Sequence, residues 1–272
     1  MVDDYQAIGL LDDEAIDLDT SALALAAPDH PGVSLDPYLE HLTELTRRLV
    51  ETGRGASIPA DQAKAIARVL AGEFGYAGDS ETYEHPDNAD LIRVIDRRRG
   101  LPVSLSILYV AAARRLGWPA EVLSTPGHVL VRIGAETDPL LIDPFEGGAV
   151  VSGERLASLL RQMLGPDARP TAEHVAPMEN RAVLVRLLLN QASRAEARGD
   201  IARALVVYER MTAIAPNYPQ PWWDRARLEV IAGNHPGARS SLSAMLEITR
   251  DVQVRNHVCA ALEALSGLRN RD

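Results

Sequence analysis

The 272-residue chain is long enough for one large domain or two smaller ones, with a core that needs no disulfide or metal. It is 46% hydrophobic and 24% charged, which is ordinary globular composition, and its single cysteine, Cys259, excludes an internal disulfide, a CxxC redox pair and any cysteine-cluster metal site. A net charge of −10 argues against nonspecific binding to nucleic acid or to an anionic membrane.

The charge is uneven: residues 1–180 hold 15 basic and 29 acidic side chains, residues 181–272 hold 13 and 9. That asymmetry suggests two segments of different origin. The first 20 residues carry seven acids and no base, which predicts a solvated, partly mobile start without the basic region of a secretory signal. No run of 18 apolar residues exists, so no membrane span is expected and the cytoplasm is the expected location.

Residues 14–26 read as helical until Pro28–Gly32 breaks the pattern. Leu39, Leu42, Leu45, Leu49 and Val50 recur at helical spacing in an amphipathic helix over 35–51, and Ile66, Val69 and Leu70 repeat that over 59–73. Residues 74–90 read as a polar loop. A helix is predicted from Pro102, where the missing N–H costs nothing, to Arg115, ended by Gly117-Trp118-Pro119. The period then changes. Glu121–Gly134 and Pro139–Phe145 read as two short strands joined by a turn, followed by a helix at 153–164 and a Pro-rich linker at 166–177.

From Arg181 the chain repeats itself. An offset of 34 places Ala192 on Ala226, Gly199-Asp200 on Gly233-Asn234 and Ala204 on Ala238. That period belongs to the tetratricopeptide repeat, a helix-turn-helix unit with small residues where its helices meet and glycine in its turn. Tyr208, Pro216 and Trp222 also fit its pattern. The units are placed at 185–218 and 219–252, with a capping helix at 253–267, buried alanines and an exposed Arg203. Trp222 and Trp223 fit repeat packing better than ligand stacking. Two units are fewer than the three needed for independent stability, so they are expected to lean on the first domain or on a second chain.

The chemically suggestive stretch is 96–148. Two antiparallel strands would set His128 beside Asp143, the orienting half of a nucleophilic triad, and Ser104 near a helix N-terminus offers a hydroxyl where the dipole stabilises negative charge. Each residue also has a plainer role: Ser104 as a helix cap, His128 as a half-buried structural histidine, Asp143-Pro144 as a turn. Arg97, Arg98 and Arg99 are either an anion-binding patch or a solvated face with one member paired to Asp96 or Glu84. Gly127 and Gly147-Gly148 read as turns rather than a phosphate loop. The remaining histidines, His30, His41, His85, His174, His235 and His257, show no metal-ligand spacing, and no cofactor is expected.

The run through RRRGLPVSLSILY, PGHVLVR and LLIDPFEGG resembles the transglutaminase-like superfamily, whose pattern is a His strand followed by Asp-Pro. From about 15 to 255 the chain is similar to SirB-type proteins, a transglutaminase-like domain followed by tetratricopeptide repeats. The resemblance implies an α+β, papain-like domain with N-terminal helices over 1–175, then an all-α repeat domain over 178–272. It also implies a cysteine nucleophile at the start of a helix, and no cysteine lies in 1–258. Ungapped alignment from Gly117 puts that cysteine nearer Pro102 than Ser104. Two functions therefore stand: a protein-interaction or regulatory protein using its cleft and repeats to bind a protein partner, its catalytic set vestigial, or a hydrolase or acyl-transferase using Ser104, His128 and Asp143.

Overall fold

The structure, a computed structural model, describes residues 5–268, and these form two compact units: residues 12–187, and residues 188–268 together with 5–11.

The first unit is built around one buried helix. Three short helices come first, α1 (Leu18–Ala26), α2 (Asp36–Thr52) and α3 (Pro59–Ala67), the last running on into a π-helical turn, Arg68–Glu73. In α2 the predicted stripe is buried at Leu42, Leu45 and Leu49, whereas Val50 is exposed. A two-residue parallel bridge joins β1 (Ala77–Gly78) to β2 (Arg99–Gly100), with α4 (Leu91–Arg97) between them. Then comes α5 (Pro102–Arg115), buried at every position from Pro102 to Ala113. A helix that is apolar on all sides must sit inside a domain, and α1, α2, α3 and the sheet all pack against it.

The sheet is a four-stranded antiparallel meander: β3 (Ala120–Leu123), β4 (Leu130–Ile133), β5 (Leu140–Asp143) and β6 (Ala149–Val150). The two strands expected here are thus four. Pro126-Gly127 divides the first apolar run, with Gly127 at φ 68°, a conformation that suits glycine. Helix α6 (Gly153–Leu164) packs Leu156 and Leu160 on Leu123 and Leu130.

The Pro-rich stretch is no free linker. Ser124 donates to the carbonyl of Ala176 and Met178 donates to that of Val122, so residues 176–178 cover the open edge of β3. In the acidic start, residues 1–4 lie outside the described residues and Asp12, Glu14 and Asp17 are exposed, but Asp13 and Asp19 are engaged. Asp13 accepts the backbone N–H groups of Asn180 and Arg181 at the start of α7 (Asn180–Ala197), both at 2.8 Å, and so caps a helix 167 residues away. Asp19 is fully buried and takes two bonds from Arg115, at 2.7 and 2.6 Å.

The second unit is helical: the end of α7, then α8 (Ile201–Ile214), α9 (Pro219–Ile231), α10 (His235–Ile248) and α11 (Val252–Leu268). Gly199 and Gly233 hold φ of 74° and 76° in the turns. Asp200 and Asn234 cap α8 and α10 in the same way. Ala192, Ala204, Ala226 and Ala238 are all buried. Arg203, expected on an exposed face, is half-buried and donates to Gln191 at 3.1 Å. Residues 5–10 form a 3-10 turn against α8, where a side chain at Gly9 would collide with the carbonyl of Ala213.

Candidate functional site

His128 lies in a bend two residues before β4, its N–H donating to the carbonyl of Thr125. Its Nε2 meets Oδ2 of Asp143, the last residue of β5, at 2.7 Å. The other oxygen, Oδ1, accepts the N–H groups of Phe145 at 3.0 Å and Glu146 at 3.4 Å. The carboxylate is therefore held by His128 on one side and by the turn that follows it on the other. A carboxylate only accepts, so Nε2 carries the proton that points at Asp143. The His128 side chain is 19% exposed and that of Asp143 5%.

Ser104 does not join them. It is the third residue of α5, fully buried, and its hydroxyl donates to the carbonyl of Asn88 at 2.7 Å. That carbonyl also accepts the N–H of Leu101. Nor is Ser104 a cap: the N-cap is Leu101, with no side-chain bond. Asn88 is fixed in turn. Its side chain donates to the carbonyl of Thr82 at 2.7 Å and accepts from Arg97 at 2.9 Å. Arg97 also bonds Asp79 at 2.8 Å. Burial alone would raise the Asp79 carboxyl; hydrogen bonds from Thr82, Arg97 and Asn88 outweigh it and hold the group well below the usual carboxylate range.

The three arginines separate. Arg97 pairs with Asp79, not with Asp96 or Glu84. Arg98 is left-handed at φ 56° and lies over the Tyr76 ring at 4.9 Å, bonded to His41 and to the Tyr76 hydroxyl. Arg99 donates to the carbonyls of Gly75 and Arg98. Arg97 and Arg98 are half-buried and bonded to side chains of the fold, whereas Arg99 is exposed, so the three do not present one common patch.

Two residues near the pair escaped the sequence reading. Tyr109 of α5 is fully buried and its hydroxyl has no partner; burial, then the Asp143 charge, pushes the phenol up. Thr125 is buried with an unpartnered hydroxyl. The only local signal was a tyrosine inside an otherwise aliphatic run. Gly147 and Gly148, at φ 67° and 82°, form a turn, and a Cβ on Gly148 would come within 3.1 Å of the Tyr109 ring.

Among the described residues, no serine or threonine hydroxyl and no thiol is hydrogen-bonded to the His128 imidazole, which Asp143 orients. Cys259 is exposed in α11, in the second unit. Among the described residues no group of three His, Cys, Asp or Glu side chains is arranged to hold a metal, and no helix is long and apolar enough to cross a membrane. A His–Asp contact is also not by itself catalytic: His30 meets Asp90 at the same 2.7 Å while Asp90 caps α4.

Comparison with known proteins identifies the family. The model of a family described as transglutaminase-like superfamily matches residues 36–189. A UPF0162 protein of Xylella fastidiosa is 33% identical over 93% of each chain. One from Vibrio cholerae is 31% identical over 70% of this chain and 72% of its own. Mouse F-box only protein 21 is 31% identical over 50% of this chain and 22% of its own. The chain therefore belongs to the transglutaminase-like superfamily and, over nearly its whole length, to the UPF0162 family.

Proposed function

We propose that this protein is a noncatalytic interaction or regulatory protein of the SirB type, working in the cytoplasm. In this reading residues 1–175 form a transglutaminase-like domain with a vestigial site, and residues 178–272 form tetratricopeptide repeats that bind a protein partner. The observation that carries it is the state of Ser104: the hydroxyl best placed to replace the missing thiol is fully buried and committed to the carbonyl of Asn88. A serine nucleophile needs a base within reach and an approachable hydroxyl. The repeat reading is supported by the recurrence, at an offset of 34, of buried alanines, left-handed glycines and capping Asp200 and Asn234. Such helices stack into surfaces that bind peptides.

One observation favours a second reading, a hydrolase or acyl-transferase using Ser104, His128 and Asp143: the 2.7 Å contact that orients the imidazole. Quantitative affinity capture from native lysate separates the two. The full-length protein is compared with Ile231→Glu, which charges an exposed apolar position of α9, and with His128→Ala. The interaction reading expects a defined partner retained by parent and His128→Ala and lost with Ile231→Glu. Recovery of no protein, alongside ester or amide turnover that His128→Ala abolishes, would replace it with the enzyme.

A further inference from the structure

The second unit carries an apolar hollow and, at a separate place, a pair of exposed leucines. The hollow lies between α9 and α11, has a volume of about 420 Å³ and is walled by Trp223, Val230, Ile231, Leu242, Ala261 and Leu265 among others. Its one charged wall residue, Arg227, is already paired with Glu196 at 2.5 Å and approaches Asp224 at 3.6 Å. What the walls offer an occupant is therefore apolar contact. The equivalent space 34 residues earlier is closed: the Tyr208 hydroxyl donates to Glu196 at 2.9 Å and Arg227 reaches the same carboxylate. The residues 34 positions on from Tyr208, Glu196 and Arg227 are Leu242, Val230 and Ala261, which can rebuild neither contact.

The leucines are Leu10, 91% exposed, and Leu11, 41% exposed. They stand on a fixed segment. Ile8 beside them is buried, a Cβ on Gly9 would lie 2.3 Å from the carbonyl oxygen of Ala213 in α8, and the N–H of Leu11 donates to the carbonyl of Ile8 at 3.3 Å. The segment is thus pinned to α8 with both leucines held out in water, where covering them is favourable. At 91% exposure Leu10 does not fill the hollow of its own chain. Charge favours a meeting of the two features between copies. The first 20 residues hold seven acids and no base, whereas residues 181–272 hold 13 basic and 9 acidic side chains, so the start of one copy is drawn towards the second unit of another.

We propose that the Leu10–Leu11 pair of one copy seats in the hollow between α9 and α11 of another, a head-to-tail contact of the chain with itself. Leucine pair and hollow are different surfaces, so each contact leaves a free pair at one end and a free hollow at the other, and the assembly grows past the dimer. This contact stands apart from any other protein that the helices bind, because it is read on the purified chain alone. The test is sedimentation equilibrium of the full-length protein. The parent should associate with a dissociation constant between about 1 μM and 1 mM, as suits a small contact, and should pass the dimer at the highest concentrations. Leu10→Ser and Ile231→Glu each change an exposed side chain and should leave circular dichroism unchanged. Each should weaken association at least about tenfold, as loss of one buried leucine does. Their equimolar mixture should form a one-to-one pair and stop there, because Leu10→Ser keeps its hollow and Ile231→Glu keeps its leucines. A parent that is monomeric throughout, association unaltered in either variant, or a mixture that stays monomeric overturns the contact. A parent that stops at the dimer overturns the head-to-tail arrangement. A monomeric parent that binds the neutral probe 2-naphthylmethanol in calorimetry gives the hollow to a small apolar molecule and overturns the second copy.

Discussion

Asp143 holds the imidazole of His128 at 2.7 Å and is itself pinned by the N–H groups of Phe145 and Glu146. One carboxylate therefore joins the entrance of β4 to the turn after β5. Asp143→Ala should remove all three bonds and leave buried donors behind, lowering stability by about 3 kcal/mol. Ser104→Ala removes only one donor from a carbonyl that keeps the Leu101 N–H, and should cost about 1 kcal/mol. Urea denaturation of the two variants checks the ranking; a Ser104→Ala loss equal to that of Asp143→Ala would contradict it.

The pH dependence of stability should contain two opposed contributions. Burial pushes the Asp19 carboxyl up to about 6, against the pull of Arg115. The folded state then holds that proton more tightly than the unfolded chain does, so the Asp19 contribution is complete below its ordinary 3.8 and is lost as pH rises through about 6. Burial, then the Arg98 charge, pushes His41 down to about 4. Its contribution is complete above the ordinary 6.5 and is lost as pH falls towards about 4. Asp19→Asn should leave stability rising with pH across this window, and His41→Gln should leave it falling. Parallel profiles of urea midpoint against pH for the two variants would show that these groups do not govern it.

Helix contacts in the second unit predict a sharp contrast between neighbouring positions. Ala204 is fully buried, and Ala204→Leu should overpack the contact and cost about 1–3 kcal/mol. Ala202, exposed on the same helix, should tolerate leucine within about 0.5 kcal/mol. Thermal unfolding of both variants is the measurement. Equal melting temperatures would remove Ala204 from the contact.

Gly148 predicts a local failure near the histidine pair. A Cβ there would sit 2.8 Å from that of Ala67, in a backbone at φ 82°. Gly148→Ala should cost about 2 kcal/mol from left-handed strain and overlap together, whereas Gly153→Ala, which meets no neighbour, should not. A melting temperature for Gly148→Ala equal to that of Gly153→Ala would refute the close approach.

What could be read in the sequence was local. Pro102 and Gly117-Trp118 bounded α5, and the period of α2 named the face it buries. Two apolar runs around a turn anticipated the apposition of His128 and Asp143, but His128 lies in the bend before β4 and not on a strand. The reading failed where a residue's partner is distant in the chain. Asp13 and Asp19 look like solvated acids until α7 and Arg115 arrive beside them. Residues 176–178 carry no strand period because they only close an edge. Ser104 could not be judged from its spacing, because what takes up its hydroxyl is the carbonyl of Asn88, 16 residues earlier in the chain.

The most direct test of the proposed noncatalytic role is labelling by a serine-directed fluorophosphonate, with tandem mass spectrometry on the peptide that holds Ser104. Because the hydroxyl is buried and bonded to the carbonyl of Asn88, the account predicts no adduct at Ser104 in the folded protein. A stoichiometric adduct at Ser104 that disappears in His128→Ala would contradict it and establish the serine–histidine–aspartate enzyme instead.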